Sequence, residues 1–329
     1  MSTLYVTRPG STIRKASRRL VVVARDGSVQ SVRLRELERL VVVGRVNITQ
    51  PVLAALMEQG IETAFLAPSG RPIGRLVGAD GKNVFLRVTQ IQKYQDMAFR
   101  LDVARRLVDA KLYNARRVLQ LGARLREGLD LGETLVDLKK ARQKLDRQET
   151  MAAVMGVEGD GAARYFKAYG ALFLGSLAFT VRSRRPPLDP VNSLLSLGYT
   201  LLATEATGAV AARGLDPYVG FMHELDYGRP SLALDLIEPF RHPVIDRFAL
   251  TLLNKRVLKE DDFERLPNRG VLLRDEPRRK YFAYYDRLMT STFQHGGAQT
   301  TWRGVLQAQV TDLARTILGG DPFEPFKMA

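Results

Sequence analysis

The chain has no cysteine and only three histidines, His223, His242 and His295. The first absence excludes disulfides, zinc ribbons, iron–sulfur clusters and thiol nucleophiles, and it suits a reducing cytosol. The second confines all imidazole chemistry to three positions. No uninterrupted apolar run approaches the roughly 20 residues that span a bilayer. The N-terminus, MSTLYVTRPGSTIRKASRRLVVV, shows no small-residue cleavage site behind a signal-like apolar core. The expectation is a soluble, cytoplasmic protein that uses no membrane. Repeats and low-complexity tracts are also missing.

Positive charge is abundant. Lys and Arg number 50 against 35 Asp and Glu, a formal net charge of +15 over 329 residues. Such a balance favours a polyanionic partner, because each phosphate contact releases condensed counterions. Residues 1–96 hold 15 Lys and Arg against 7 Asp and Glu, so the shorter N-terminal part is the more basic per residue. A basic amphipathic anchor helix, the signature of a membrane-surface protein, is not evident.

Residues 1–90 read as β-rich. LVVV at 20–23 and RLVVVG at 39–44 are β-branched runs, and RDGS at 25–28 supplies a turn before VQSVRL. Thr49, Pro51 and Gly60 bracket one short helix. From residue 97 the period changes to that of helices, beginning with MAFRLDVARRLVDAKLYNARRVLQL. Further helices are expected over 161–179, 190–212, 231–238 and 244–256, with 87–97 as the join and GGDPFEPFKMA as a loose tail. The expected class is α+β: a small β-rich N-terminal domain (1–90), then a larger all-helical catalytic domain (97–329).

The segment GFMHELDYGRPSLALDLIEPFRHP, residues 220–243, is unusual. Asp235 and Glu238, three apart, share one face of a helix that is otherwise apolar. Ionised carboxylates are seldom buried unless paired or metal-bound. Pro239 is expected to end or kink that helix just after Glu238. Glu158 lies between Gly156 and Gly159, which would let the backbone come close to a ligand or partner helix, just before a helix expected to begin near Asp160. Glu158, His223 and Glu238 together would form a one-histidine, two-carboxylate set suited to Mn²⁺ or Mg²⁺, with Asp235 orienting a ligand. The competing reading makes these acids ordinary ion pairs with Arg241 and His223 a hydrogen-bonded loop residue. His242 and His295 have no carboxylate partner in view.

Three motifs, GVEGDGAARYF (156–166), RRPPLDPVNSLLSLGYTLL (184–202) and GLDPYVGFMHELDYGRPSLALDLIEPFR (214–241), resemble in this order the CRISPR-associated universal adaptation endonuclease, the integrase subunit that inserts new spacers. AKLYNARRVL (110–119), FERLPNRGVLLRDEPRRKYFAYYDRLM (263–289) and NITQPVLAALMEQGIETAFLAPSGRPIGRL resemble its flanking segments, so the likeness covers almost the whole chain. The resemblance implies a homodimer acting on double-stranded and branched DNA with a small ferredoxin-like companion protein. It implies metal-dependent cleavage and the joining of a 3′-hydroxyl end to repeat DNA by transesterification. It also implies Glu158, His223 and Glu238 as metal ligands and catalytic residues, Asp235 as a nearby acid, and Arg241 beside the ligands. Arg182, Arg184 and Arg185 lie on a proline-stiffened loop where they could meet phosphates. Asn192 is expected to hold local backbone, and Tyr165 and Phe166 to be core. Two other readings remain: a basic DNA-binding scaffold without chemistry, and a metal-dependent phosphohydrolase of nucleotides.

Overall fold

A computed structural model describes residues 2–78, 83–174, 179–267 and 269–329. The chain divides into two compact units, Met1–Gly81 with Arg278–Asp286, and Lys82–Pro277 with Arg287–Ala329.

The first unit is built from β1 (Ser2–Val6), β2 (Thr12–Ala16), β3 (Arg19–Val23), β4 (Val29–Arg33), β5 (Leu37–Val43), β6 (Asn47–Ile48), α1 (Gln50–Glu58), β7 (Glu62–Leu66) and β8 (Pro72–Leu76). One sheet runs β1-β5-β7-β8, parallel except for the last pair; the other runs β4-β3-β2-β6. Alternation along β3 sends Leu20 and Val22 inward, where they meet Leu4, Val6, Ile13, Leu40, Val42, Val52 and Leu56 in one core drawn from both sheets and α1. The expected β-branched runs, turn and single helix all lie where the sequence puts them.

The second unit contains α2 (Val84–Gln95), α3 (Met97–Arg124), α4 (Gly132–Lys144), α5 (Met151–Tyr169), α6 (Pro190–Arg213), α7 (Ser231–Phe240) and α8 (Arg247–Asn254). After a short ribbon, β9 (Phe263–Arg265) with β10 (Val271–Leu273), comes α9 (Asp275–Thr290), whose middle belongs to the first unit. A second ribbon, β11 (Thr292–His295) with β12 (Ala298–Thr301), precedes α10 (Trp302–Ile317). The architecture is thus a β-rich N-terminal region followed by a mostly helical one, as expected.

Helix α3 is the spine, packing on α4, α5 and α7. Its buried stripe, Val103, Ala104, Leu107, Val108, Leu112, Ala115, Val118 and Leu119, follows helical spacing. Two polar residues, Lys111 and Asn114, interrupt that stripe and are buried with it. Segment 87–97, the expected join, is mostly α2, and Asp96 caps α3 by accepting from the Phe99 N–H at 3.0 Å.

Four local expectations are corrected. Glu158 lies inside α5, not before a helix, because Thr150 caps it eight residues earlier by accepting from Ala153 N–H. A Cβ on Gly156 or Gly159 would meet nothing within 4 Å, so neither glycine serves a close approach to another helix. Helix α7 does not stop at Glu238. It continues through Pro239 to Phe240 and widens into a π-helical turn over Arg241–Asp246 before α8. A longer-range bond pattern is one way a helix accommodates the donor that proline lacks.

The C-terminal residues do not form a loose tail. Phe323 and Phe326 are buried, with Phe326 stacked on Phe240 at 5.2 Å. Aromatic burial supplies the stabilisation that a polar-looking, glycine- and proline-bearing segment concealed. Helix α6 is long and apolar enough to cross a membrane by length and composition, and 56% of its apolar window is buried within the protein.

Candidate active site

Side chains from four elements build the site, and four of them, Lys111, Glu158, Glu238 and Arg241, are joined by ion pairs. Lys111 comes from α3, Glu158 from α5, Asp235 and Glu238 from α7, and Arg241 from the turn that follows. The segment between α6 and α7 adds His223.

That segment is held at both ends. Gly214, at φ +92°, ends α6 in the left-handed conformation that favours glycine. Gln90 then donates to the carbonyls of Asp216 (2.9 Å) and Val219 (2.7 Å) and accepts from Asp216 N–H (2.8 Å). Arg100 donates to the Phe221 carbonyl at 3.2 Å and to Glu224 at 2.8 Å.

Asp235 is the anchor of the histidine. Its carboxylate accepts from the backbone N–H groups of Phe221, Met222 and His223 at 2.6, 2.9 and 3.0 Å. Its Oδ1 also lies 2.6 Å from Nδ1 of His223. With Nδ1 donating to the carboxylate, Nε2 carries the lone pair available to a ligand. Gly220 permits this approach, since a Cβ there would sit 2.7 Å from Asp235 Oδ2.

Glu238, 3% exposed, accepts from Arg241 Nε at 2.9 Å through Oε1. The Lys111 ammonium lies 2.6 Å from its other oxygen, Oε2, and also pairs with Glu158. Both carboxylate oxygens of this buried side chain therefore face a cation. Burial opposes ionisation of Glu238, but the charges of Arg241 and Lys111 outweigh it and hold the carboxyl well below the usual range. Glu238 is therefore an anion held between two cations.

Behind Arg241 lies a second buried network. The guanidinium stands 4.6 Å from the centre of the Tyr199 ring. Tyr199 donates to Asp246 Oδ1 at 2.5 Å, and His242 Nδ1 lies 2.7 Å from Asp246 Oδ2. Burial, reinforced by the Asp246 charge, pushes the Tyr199 hydroxyl well above its ordinary value. His242 thus does have a carboxylate partner, contrary to expectation. The partner is four residues on, reached across the π-helical turn. His295 packs by its ring 4.9 Å from Phe326.

The arginine loop is more internal than its sequence suggests. Arg182 donates to Asn192 Oδ1 (2.7 Å) and Ser196 Oγ (3.0 Å), whereas Arg184 is exposed. Asn192 is fully buried and, as expected, holds local backbone: it accepts from Ser183 N–H and donates to the Val181 carbonyl. Tyr165 is core, its ring 4.0 Å from that of His242.

Glu158 and Glu238 are therefore brought together on one ammonium, and His223 is tied to Asp235, three residues before Glu238 on the same helix. Among the described residues no three His, Asp or Glu side chains already enclose a single point as a metal cage. The donor set nevertheless fits a hard divalent ion: two carboxylates that already share one cation, and an imidazole oriented by a carboxylate. The cation-binding character of the pair is visible in the ammonium it already holds. Sequence reasoning missed Lys111, Asn114 and Tyr199. The first two had a signal, as polar residues in register with the apolar stripe of α3.

Comparison with known proteins places this arrangement in a broader group. The family model described as CRISPR associated protein Cas1 matches residues 4–287. The CRISPR-associated endonuclease Cas1 3 of Thermus thermophilus is 37% identical over 326 residues, covering 98% of this chain and 94% of the relative. A CAS1 protein from Thermotoga maritima superposes with a TM-score of 0.86 at 23% identity, covering 99% of this chain and 100% of that one. A chain of a solved Cas6-RT-Cas1–Cas2 complex matches with a TM-score of 0.83 at 25% identity, covering all of this chain and 36% of its own length.

Proposed function

This chain belongs to the CRISPR-associated Cas1 family, and we propose that it is a metal-dependent DNA endonuclease and integrase of spacer acquisition. The observation that carries the reading is the buried Glu238, which shares the Lys111 ammonium with Glu158, together with a His223 ring held by Asp235 on the same helix as Glu238. A DNA-binding scaffold has no need for that arrangement.

In this reading Glu158, His223 and Glu238 would hold Mn²⁺ or Mg²⁺. When bound, the ion supplies Lewis-acid polarisation of a phosphodiester and activation of a water or 3′-hydroxyl. The chain's own residues do the rest. Asp235 fixes the His223 ring with Nε2 free. Arg241, balanced on Glu238 and the Tyr199 ring, offers positive charge to the pentacovalent state. Exposed Arg184 meets backbone phosphates, and Arg182 contributes by stiffening the loop that presents it. In strand transfer the attacking 3′-oxygen forms a bond to phosphorus while the bond to the repeat strand's 3′-oxygen breaks. The proton lost by one hydroxyl is regained by the other, and the number of phosphodiesters is unchanged.

The partners proposed are double-stranded and branched DNA, a second copy of this chain, and a small ferredoxin-like companion protein; the setting proposed is the cytoplasm. The name of the Cas6-RT-Cas1–Cas2 complex, in which a similar chain occurs with Cas2, supports the companion. The test is strand transfer: labelled duplex with 3′-hydroxyl ends, a repeat-bearing plasmid, the companion protein and Mn²⁺. Joined product is expected from the parent and not from Glu238→Ala or a chelated sample. Equal joining in all three, or DNA binding with no cleavage or joining in any, would overturn the proposal.

A further inference from the structure

Lys111 is the least expected member of the site. It projects from the buried stripe of α3, its side chain only 7% exposed, and reaches two carboxylates on two other helices. A buried ammonium is costly unless paired, and two buried carboxylates facing each other are costly without a cation between them. Each side of this arrangement therefore requires the other. Glu158 and Glu238 are matched by Lys111 and Arg241, two carboxylates against two cations in direct contact.

A divalent ion entering the same carboxylates changes that balance. Its charge would add to that of an ammonium only a few ångströms away, in surroundings that screen poorly. The lysine stem has four rotatable carbons and the ammonium makes no planar, bidentate commitment, so it can move where an arginine fork could not.

We infer that Lys111 is the resident counter-cation of the Glu158–Glu238 pair, that it yields the carboxylates to an entering divalent ion, and that the freed ammonium then meets the anionic DNA backbone. This inference rests on the metal-site reading above. Lys111 in this account keeps two acidic helices in place before metal arrives, competes with the metal for them, and afterwards becomes a phosphate contact. No covalent step is involved.

The test is amine labelling of the parent protein with a short pulse of acetic anhydride, read by mass spectrometry of the peptide containing Lys111. Three samples are compared: metal-free, Mn²⁺-saturated, and Mn²⁺-saturated with a DNA duplex. Labelling should be slow, then faster by about tenfold or more, then slow again, as expected if the bridged state dominates without metal. In parallel, calorimetry of Mn²⁺ binding should show Lys111→Met binding about tenfold tighter than the parent and Lys111→Arg no tighter, because only the first removes the competitor.

Mn²⁺ binding without any change in Lys111 labelling would overturn the inference and leave the metal site standing. Persistent labelling in the DNA sample would remove the phosphate contact. If neither parent nor variant binds Mn²⁺, the metal reading falls and this one falls with it. Should Lys111→Met fail to fold, labelling of the parent decides alone.

Discussion

Asn114 donates from one side-chain nitrogen to the carbonyl of Pro239 at 2.7 Å and to that of Phe326 at 2.9 Å. Its oxygen accepts from Met328 N–H at 2.8 Å. One buried amide thus ties the residue following Glu238 to the C-terminal segment, and it sits one helical turn beyond Lys111. The C-terminal residues belong to the support of the site.

Asn114→Ala should therefore cost about 2 kcal/mol or more, since it leaves buried carbonyls and an N–H without partners. Hydrogen exchange at 323–329 and thermal melting should both register the loss. Unchanged protection of Met328 N–H would contradict this role.

Asp235→Asn should leave the protein folded but lower Mn²⁺ affinity by about 10- to 100-fold, the usual effect of losing a carboxylate that orients a ligating histidine. The motivation is the fourfold acceptance by Asp235 from the His223 segment. Calorimetry on the folded variant checks it, and parent-like affinity would place His223 outside the metal set.

Tyr199→Phe and Tyr199→Leu separate two functions of one side chain. The first removes the donor to Asp246 Oδ1 and should cost about 1–3 kcal/mol in stability while keeping the ring beneath Arg241. The second also removes that ring and should lower strand transfer further, by roughly the threefold or more that a partly desolvated cation–π contact is worth. Equal activity in the two variants would show that the ring does not position Arg241.

Acid should act twice. The Glu238 carboxyl is depressed in the folded state, so its contribution to stability is present above the ordinary carboxylate value of about 4.3 and is lost as pH falls below it. Asp109, whose burial is outweighed by bonds from Arg142 and Lys327, adds in the same direction. Melting temperature should accordingly hold near neutrality and fall below about pH 4. Metal-dependent activity should fall earlier, because protons compete with the ion for His223. Full activity at about pH 5 would count against His223 as a ligand.

Much of this was legible because the relevant signals are local. β-Branched runs mark the strands, and the apolar register of α3 marks the spine. Two carboxylates in the apolar stretch of α7 marked a site before any geometry was known. The remainder depends on tertiary partners that spacing cannot show. Glu158 proved to be mid-helix because a threonine cap eight residues upstream outweighed two glycines. Pro239 was absorbed by a π-helical turn instead of ending α7, and that turn brought His242 to Asp246. The C-terminal segment looked loose because its anchors, Phe240 and Asn114, lie far away in sequence. Lys111 could have been suspected from its place in a buried stripe, but its two partners could not.

The central claim is that Glu158, His223 and Glu238 share one divalent ion. Crystals grown with Mn²⁺ and measured for anomalous scattering test it directly. The account predicts a single strong peak bounded by the two carboxylates and Nε2 of His223, with the Lys111 ammonium withdrawn from between Glu158 and Glu238. A peak elsewhere, or none while Lys111 still bridges the pair at saturating Mn²⁺, would contradict it.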